Sequence, residues 1–394
     1  MKIKLYITLL LVTFMACKKP YNLPVVATNS NYLVVEGVIN SGADSTFIKL
    51  SRTVNVSSKT TLSPELHAQL AVQGDQNTSY PLTETKNGTY VAVGLNLDAT
   101  HKYRLAITTS AGKQYQSDYV AVVNSPAIDS VSYVVKPDGV DIFSNTHDPK
   151  NNTRYYRWDY QETWIIHSNF TSYFKSNGDT VLGRDLFNDE VNICWQSDTS
   201  STIIIGSSAR LSSDVIVNNP IISIPSTSEK FSSRYSIQVR QYALSGDAFN
   251  FWQNLKKTTE DLGSIFDPEP SHLNGNIHSV NNPTEPVIGY ISVGSTSCQR
   301  IFIDNRQLPA WVATKAYPDC LLDTLLYKYL AKGSIIPVNQ IDLYINYHKF
   351  VGSALIPVDA ISVPGSPPLG YSASDAKCVD CTLRGTNKQP AFWK

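Results

Sequence analysis

Period-two alternation constrains this chain more than any other feature. Leu66, Ala68, Leu70 and Val72 alternate with His67, Gln69, Ala71 and Gln73, and Tyr103, Leu105 and Ile107 alternate with Arg104 and Ala106. Such spacing puts one set of side chains on each face of an extended strand, one face dry and one wet. Turn signals at Ser41-Gly42, Gly74-Asp75, Asn87-Gly88 and Ala111-Gly112 separate the apolar runs. Several short strands so punctuated predict an immunoglobulin-like or fibronectin-like β-sandwich over residues 31–123.

Ser125-Pro126 marks the next boundary, and residues 124–394 read as a second, larger β-rich domain. Strands are expected at Ser130–Val135, Gly139–Phe143 and Tyr155–Ile166. In the last, Tyr156, Trp158 and Tyr160 face one way while Arg157, Asp159 and Gln161 face the other. The Ser-, Asn- and Asp-rich run 168–201 reads as an extended polar excursion. Strands resume at Thr202–Ile205, Val215–Val217 and Tyr235–Val239, with Arg234, Ser236, Gln238 and Arg240 on the polar face of the last. Phe249, Trp252, Leu255, Thr259 and Leu262 recur at helical spacing, so a helix is predicted over 246–262, opened near Ser245 or Asp247 and stopped by Gly263. Its aromatic stripe reads as core packing. A second, shorter helix is expected over Leu321–Leu330, and further strands at Val287–Val293, Arg300–Ile303 and Ile341–Tyr347. The expected class is mainly β with a few helices.

The first residues are of a different kind. Met1-Lys-Ile-Lys, an apolar run from Leu5 to Ala16, then Cys17 form a lipoprotein signal, in which residues 1–16 are removed and Cys17 carries the lipid. The run is far shorter than the roughly twenty apolar residues that cross a bilayer. Residues 17–30, with Pro20 and Pro24, read as the lipidated cysteine and a tether.

An exported chain meets an oxidising compartment, so the cysteines after Cys17 are expected in disulfides. Cys194, Cys320, Cys378 and Cys381 are the candidates, with Cys194 and Cys320 expected to partner the tail pair Cys378-Val-Asp-Cys381. The pairing itself stays open. Cys298, inside a strand-like run, is the expected free thiol.

Composition removes several function classes. Lys plus Arg equal Asp plus Glu at 33 each, so there is no basic field for nucleic acid. The seven histidines show neither HxH nor HxxxH spacing, and GxSxG, GxGxxG and GxxxxGK are absent. No metal, cofactor or catalytic residue is therefore expected. Asp267 and Glu269, in Phe-Asp-Pro-Glu-Pro, have the types of an acid and base pair, but carboxylates between prolines are ordinary turn formers. Trp164, Tyr173, Phe174, Trp195 and Tyr242 flank the polar excursion and are the candidate contacts to a ligand or partner.

The runs Gly263-Ser-Ile-Phe-Asp-Pro-Glu-Pro270, Gly275-Asn-Ile277 and Val287-Ile-Gly-Tyr-Ile-Ser-Val293 carry a resemblance, together with Leu33-Val-Val-Glu-Gly-Val-Ile39 and the ending Cys378-Val-Asp-Cys-Thr-Leu-Arg-Gly-Thr-Asn-Lys-Gln-Pro-Ala-Phe-Trp393. With the lipoprotein start, the sequence resembles an uncharacterised Bacteroidota outer-membrane lipoprotein family, a domain of unknown function. The resemblance implies an outer-membrane anchor and a neighbouring TonB-dependent transporter as partner. The implied role is that of an accessory or capping subunit in nutrient binding or uptake. The alternative is a glycan-binding or adhesive surface module, with glycan or peptide cargo, and a polymer hydrolase comes third. Asp-Ser/Thr-apolar triplets place candidate O-glycosylation at Ser45, Ser130, Thr180 and Thr324. Lys18, Lys19 and Pro20 stand where surface export in that phylum favours acidic residues, which leaves the membrane face open.

Overall fold

The computed structural model describes residues 31–54, 63–260, 275–346 and 354–393. Cys17, the tether, Gly263 and the Asp267–Glu269 turn lie outside the described residues. Nine strands open the chain: β1 (Leu33–Asn40), β2 (Thr46–Arg52), β3 (Ser63–Pro64), β4 (Gln69–Gly74), β5 (Ser79–Lys86), β6 (Thr89–Ala92), β7 (Lys102–Thr108), β8 (Gln114–Ser117) and β9 (Val120–Ala121). Their alternate residues Leu33, Ile48, Leu50, Leu70, Val72, Leu105 and Ile107 make one core. The β5–β6 hairpin turns on Asn87 and Gly88, both at positive φ, as a two-residue turn that follows strand twist requires. A Cβ on Gly88 would lie 2.5 Å from the Leu50 carbonyl oxygen, so the turn also allows close backbone approach.

The next elements are β10 (Ile128–Lys136), β11 (Gly139–His147), β12 (Tyr155–His167), β13 (Phe174–Ser176), β14 (Val181–Gly183), β15 (Ile193–Thr199), β16 (Ile204–Ser207), β17 (Val215–Pro225), β18 (Arg234–Leu244) and helix α1 (Gly246–Thr259). The remainder are β19 (Ile277–Ser279), β20 (Val287–Ile288), β21 (Ser292–Gly294), β22 (Thr296–Asp304), β23 (Asp323–Leu326), β24 (Ile356–Ile361), β25 (Gly370–Ser374) and α2 (Ala376–Val379). The sheet β10–β11–β17 packs on β15–β12–β18–β22, where β16 also joins β12. Tyr156, Trp158, Tyr235, Ile237 and Val239 fill the space between these sheets, with Val140, Ile142 and Ile224 opposite. This is a second sandwich. Within it the expected faces of β12 and β18 hold, with Arg157, Asp159 and Arg240 outward.

The first sandwich is not made of residues 31–123 alone. β20 and β21 run parallel to β1, and β19 pairs antiparallel with β8, so residues 277–294 return to complete both sheet edges. Ile277, Val287, Ile291 and Val293 enter the first core. The return seats closely because Gly289, at φ +141, sets its backbone where a Cβ would meet the Val35 carbonyl oxygen at 2.2 Å. The helix α1 occurs in the crossing between sandwiches, with Ser245 Oγ accepting from the Ala248 amide as its N-cap.

A small third lobe combines the polar excursion with the tail. The sheet β23–β25–β24 packs against the hairpin β13–β14, and Phe174, Val181, Leu325, Ile345 and Tyr371 share its core. Leu321–Leu330 is not a helix: Asp323–Leu326 pairs with β25, and Leu321 and Leu330 remain exposed, leaving no buried face to hold so short a helix. Ile341–Tyr347 is not a strand in its described part. Asn339 accepts from the amides of Ile341 and Asp342 and starts a helical turn over Asp342–Asn346, which buries Ile341 and Ile345 four residues apart on one side.

Candidate functional site: a charged groove between the sandwiches

An open groove of about 640 Å³ lies between the wet face of β1–β2 and that of β12–β18–β22. Strand register builds its floor. Arg157 stands opposite Tyr242, which stands opposite Thr296, and in the next row Asp159, Arg240 and Cys298 align across the same three strands. Glu36, Val38, Phe47 and Lys49 supply the facing wall, and Asp44 and Ser45 its end. Phe47 is 57% exposed, an aromatic face turned to solvent in the groove.

The electrostatics are largely self-contained. Asp159 accepts from Arg240 Nε at 2.6 Å and from the Tyr242 hydroxyl at 2.8 Å. Across the groove Lys49 pairs with Glu36 at 3.7 Å. Burial and the adjacent Asp159 carboxylate push the Tyr242 hydroxyl well above its ordinary range, so it donates as a neutral phenol. Burial also raises the Cys298 thiol, with Asp44 and Asp159 adding to that effect and Arg240 opposing it. The thiol therefore stays protonated at neutral pH, a poor nucleophile.

Arg157 is held differently. Its guanidinium lies over two rings, with Cζ 4.4 Å from the centroid of Tyr242 and 4.4 Å from that of Trp252 on α1. Among the described residues the closest carboxylate, Asp159, is 4.0 Å from Nη2, and the buried Nε has no hydrogen-bond partner. The helix stripe read as core packing is not a core: α1 buries Ala248 and Phe251, while Phe249, Trp252 and Leu255 are only half-buried and Trp252 backs Arg157 from outside the groove lining.

Three of the other four aromatic candidates serve packing. Trp164 is 4% exposed and belongs to the second core, so its face is closed to a ligand, and Lys230 Nζ lies 4.8 Å from its ring centroid. Trp195 stacks edge-on with Trp393 at 6.4 Å and bridges to Thr386, and Phe174 meets Tyr371 at 5.0 Å. Tyr173 remains exposed, at the third lobe rather than the groove. Tyr242 alone of the five lines the groove. Of the triplet hydroxyls, Thr180 and Thr324 are exposed, Ser45 lines the groove, and Ser130 accepts from Asn145. Arg157, Asp159 and Arg240 were visible in sequence only as the polar side of two strands; the signal for their site is their pairing across strands.

Two disulfides staple the tail. Cys194 joins Cys381, Cys320 joins Cys378, and Cys298 is free. Beyond them, a bridged turn from Tyr329 to Val338 ends in a strongly apolar tip: Leu330 is 57%, Ile335 94% and Ile336 69% exposed. Tyr327, whose amide donates to Leu369, extends the patch, and Lys328 and Lys332 flank it. Among the described residues no group of three His, Cys, Asp or Glu is arranged to hold a metal, and no helix is long and apolar enough to cross a membrane.

No curated protein matches the sequence. Among solved structures, an Anoxybacillus pullulanase complexed with maltotriose aligns at 11% identity over 55% of this chain and 24% of that one, with a TM-score of 0.15. A Bacillus thuringiensis chitinase aligns at 13% over 51% and 29%, again with a TM-score of 0.15. The chain spans under a third of those enzymes' length, and superposition this poor says nothing of activity. A family profile, by contrast, matches residues 18–300, a span that runs through both sandwiches to β22. The chain belongs to the family described as domain of unknown function DUF4249.

Proposed function

We propose that this protein is a non-enzymatic lipoprotein, anchored through Cys17 to the outer membrane, that docks on a TonB-dependent transporter as an accessory or capping subunit. The observation that carries the reading is the apolar tip of the third lobe. Leu330, Ile335 and Ile336 stand together in water on a turn held by two Tyr329–Val338 backbone bonds. Burying each such side chain is worth about 1.5–3 kcal/mol, and soluble proteins seldom leave such a cluster exposed without a partner. The two disulfides brace the lobe that presents it. A cell-surface rather than periplasmic face is part of the proposal.

Co-purification from detergent-solubilised outer membranes tests it. The tagged protein should bring down a TonB-dependent transporter, and the triple variant Leu330→Ser, Ile335→Ser, Ile336→Ser should lose it while melting at the same temperature, since the three side chains contribute little to the core. No transporter with the parent protein, or equal recovery with the variant, would overturn the proposal.

A further inference from the structure

The groove between the sandwiches carries a second inference, independent of docking by the apolar tip. Counting its charges, Lys49 is matched by Glu36 and Arg240 by Asp159. Arg157 and Asp44 are left over. Asp44 is exposed at the groove's end and makes no hydrogen bond or ion pair with the described residues. Among the described residues, Arg157 has only the long 4.0 Å approach to a carboxylate already engaged by two other donors.

The stacking of Arg157 decides which ligand geometry it can take. With its Cζ over two aromatic rings, the faces of the guanidinium are taken up by stacking, and its in-plane N–H groups are the donors left for the groove that Arg157 lines. That is the geometry in which two parallel N–H groups meet the two oxygens of a carboxylate. The rings also hold the fork rigid, so little side-chain freedom is lost when it binds. A phosphate would suit the fork too, but with Lys49 and Arg240 already paired to Glu36 and Asp159, a dianion would find one unpaired cation in Arg157 and would face the unpaired Asp44. A single negative charge fits better, and Asp44 at the end of the groove calls for a positive one. Val38 and the exposed ring of Phe47 offer an apolar wall between.

We propose that this groove binds a zwitterion of the amino-acid or short-peptide class, its carboxylate bidentate on the edge of Arg157 and its ammonium turned to Asp44. Phe47 and Val38 take the side chain, and Tyr242 and Trp252 position the arginine without touching the ligand's charge.

Calorimetric titration of the full-length protein in detergent tests this with four probes: trialanine, acetyl-trialanine, trialanine amide and inorganic phosphate. Trialanine should bind with a dissociation constant of about 1 mM or tighter. Trialanine amide should bind at least tenfold more weakly, since it lacks the carboxylate, and Arg157→Ala and Arg157→Lys should each weaken trialanine at least tenfold. Because removing a stacked arginine can disturb the fold, Asp44→Asn provides an arm that cannot. It lies in solvent, and should weaken trialanine while leaving acetyl-trialanine unchanged. No binding of trialanine, equal binding of its amide, competition by phosphate at the same concentration, or an unchanged affinity in Arg157→Lys would each overturn the proposal. None of these readouts involves a transporter, so failure of docking and failure of the groove are separable.

Discussion

Replacing Cys194 and Cys381 together by alanine is the sharpest test of how the tail is held. The two residues are 187 apart in sequence, and closing so long a loop removes unfolded-chain entropy worth about 5 kcal/mol. Cys320–Cys378, with a separation of 58, is worth about 4 kcal/mol by the same reasoning. The two are linked, because Cys378 and Cys381 lie three residues apart. With the shorter bridge intact the remaining loop is still on the order of 130 residues, which lowers the value of the longer bridge by only about 0.3 kcal/mol. The third lobe's own cores are small, five and three buried hydrophobic residues, so beyond the bridge the tail rests on a few contacts such as the Trp195–Thr386 backbone bonds and the Arg384–Glu229 pair. Loss of the longer bridge should therefore release the tail before the sandwiches unfold. Urea unfolding followed by tryptophan fluorescence reads this directly, because Trp195 meets Trp393 from the tail. The expected result is a new transition at low urea, with the main transition near its original midpoint. A single transition coincident with that of the parent protein would refute the view that the bridge, rather than packing, fixes the lobe.

Two further outcomes follow from buried and paired charges. Lys230→Met should cost about 3 kcal/mol in urea unfolding, because it leaves the buried Glu162 carboxylate with the Tyr235 hydroxyl, at 2.9 Å, and no cation; the double change with Glu162→Leu should recover most of that, and failure to recover would show that the loss is packing against Trp164. His147 donates to Asp129 at 2.8 Å, which raises its pKa above the ordinary histidine value. Its folded-state pKa being raised, the pair's stabilisation is fully present below about pH 6.5 and is lost as pH rises through the elevated value. An NMR titration should show that elevated value, and Asp129→Asn should bring it down; an unchanged midpoint would dismiss the pair.

Much of the local structure was legible in residue order. The alternation of Tyr156, Trp158 and Tyr160 with Arg157 and Asp159 is the burial pattern of β12, and Asn87-Gly88 is a hairpin turn. Ser245 caps α1 as its position before an amphipathic run implies. Legibility failed where a segment's partner lay far away in sequence. Leu321–Leu330 has apolar residues at helical spacing but pairs with β25, and Trp164 has the look of a ligand platform but no solvent to face. The groove is the strongest case. Arg157, Tyr242 and Trp252 each follow a local rule, yet only the register of β12 against β18 and the crossing of α1 bring two rings onto one guanidinium.

Sequence by itself determined the class of fold, the faces of its main strands, the cysteines available for stapling and the membership in a family. Those are properties of short windows, set by side-chain period, turn chemistry and residue type, and they need no knowledge of what lies opposite. Tertiary structure alone decided that residues 277–294 finish the first sandwich, that Cys194 takes Cys381 and Cys320 takes Cys378, and that one arginine and one aspartate are left unmatched across a groove. Each of these depends on which strand edge finds which, a choice governed by the sum of burial and backbone pairing over the whole chain rather than by any window within it.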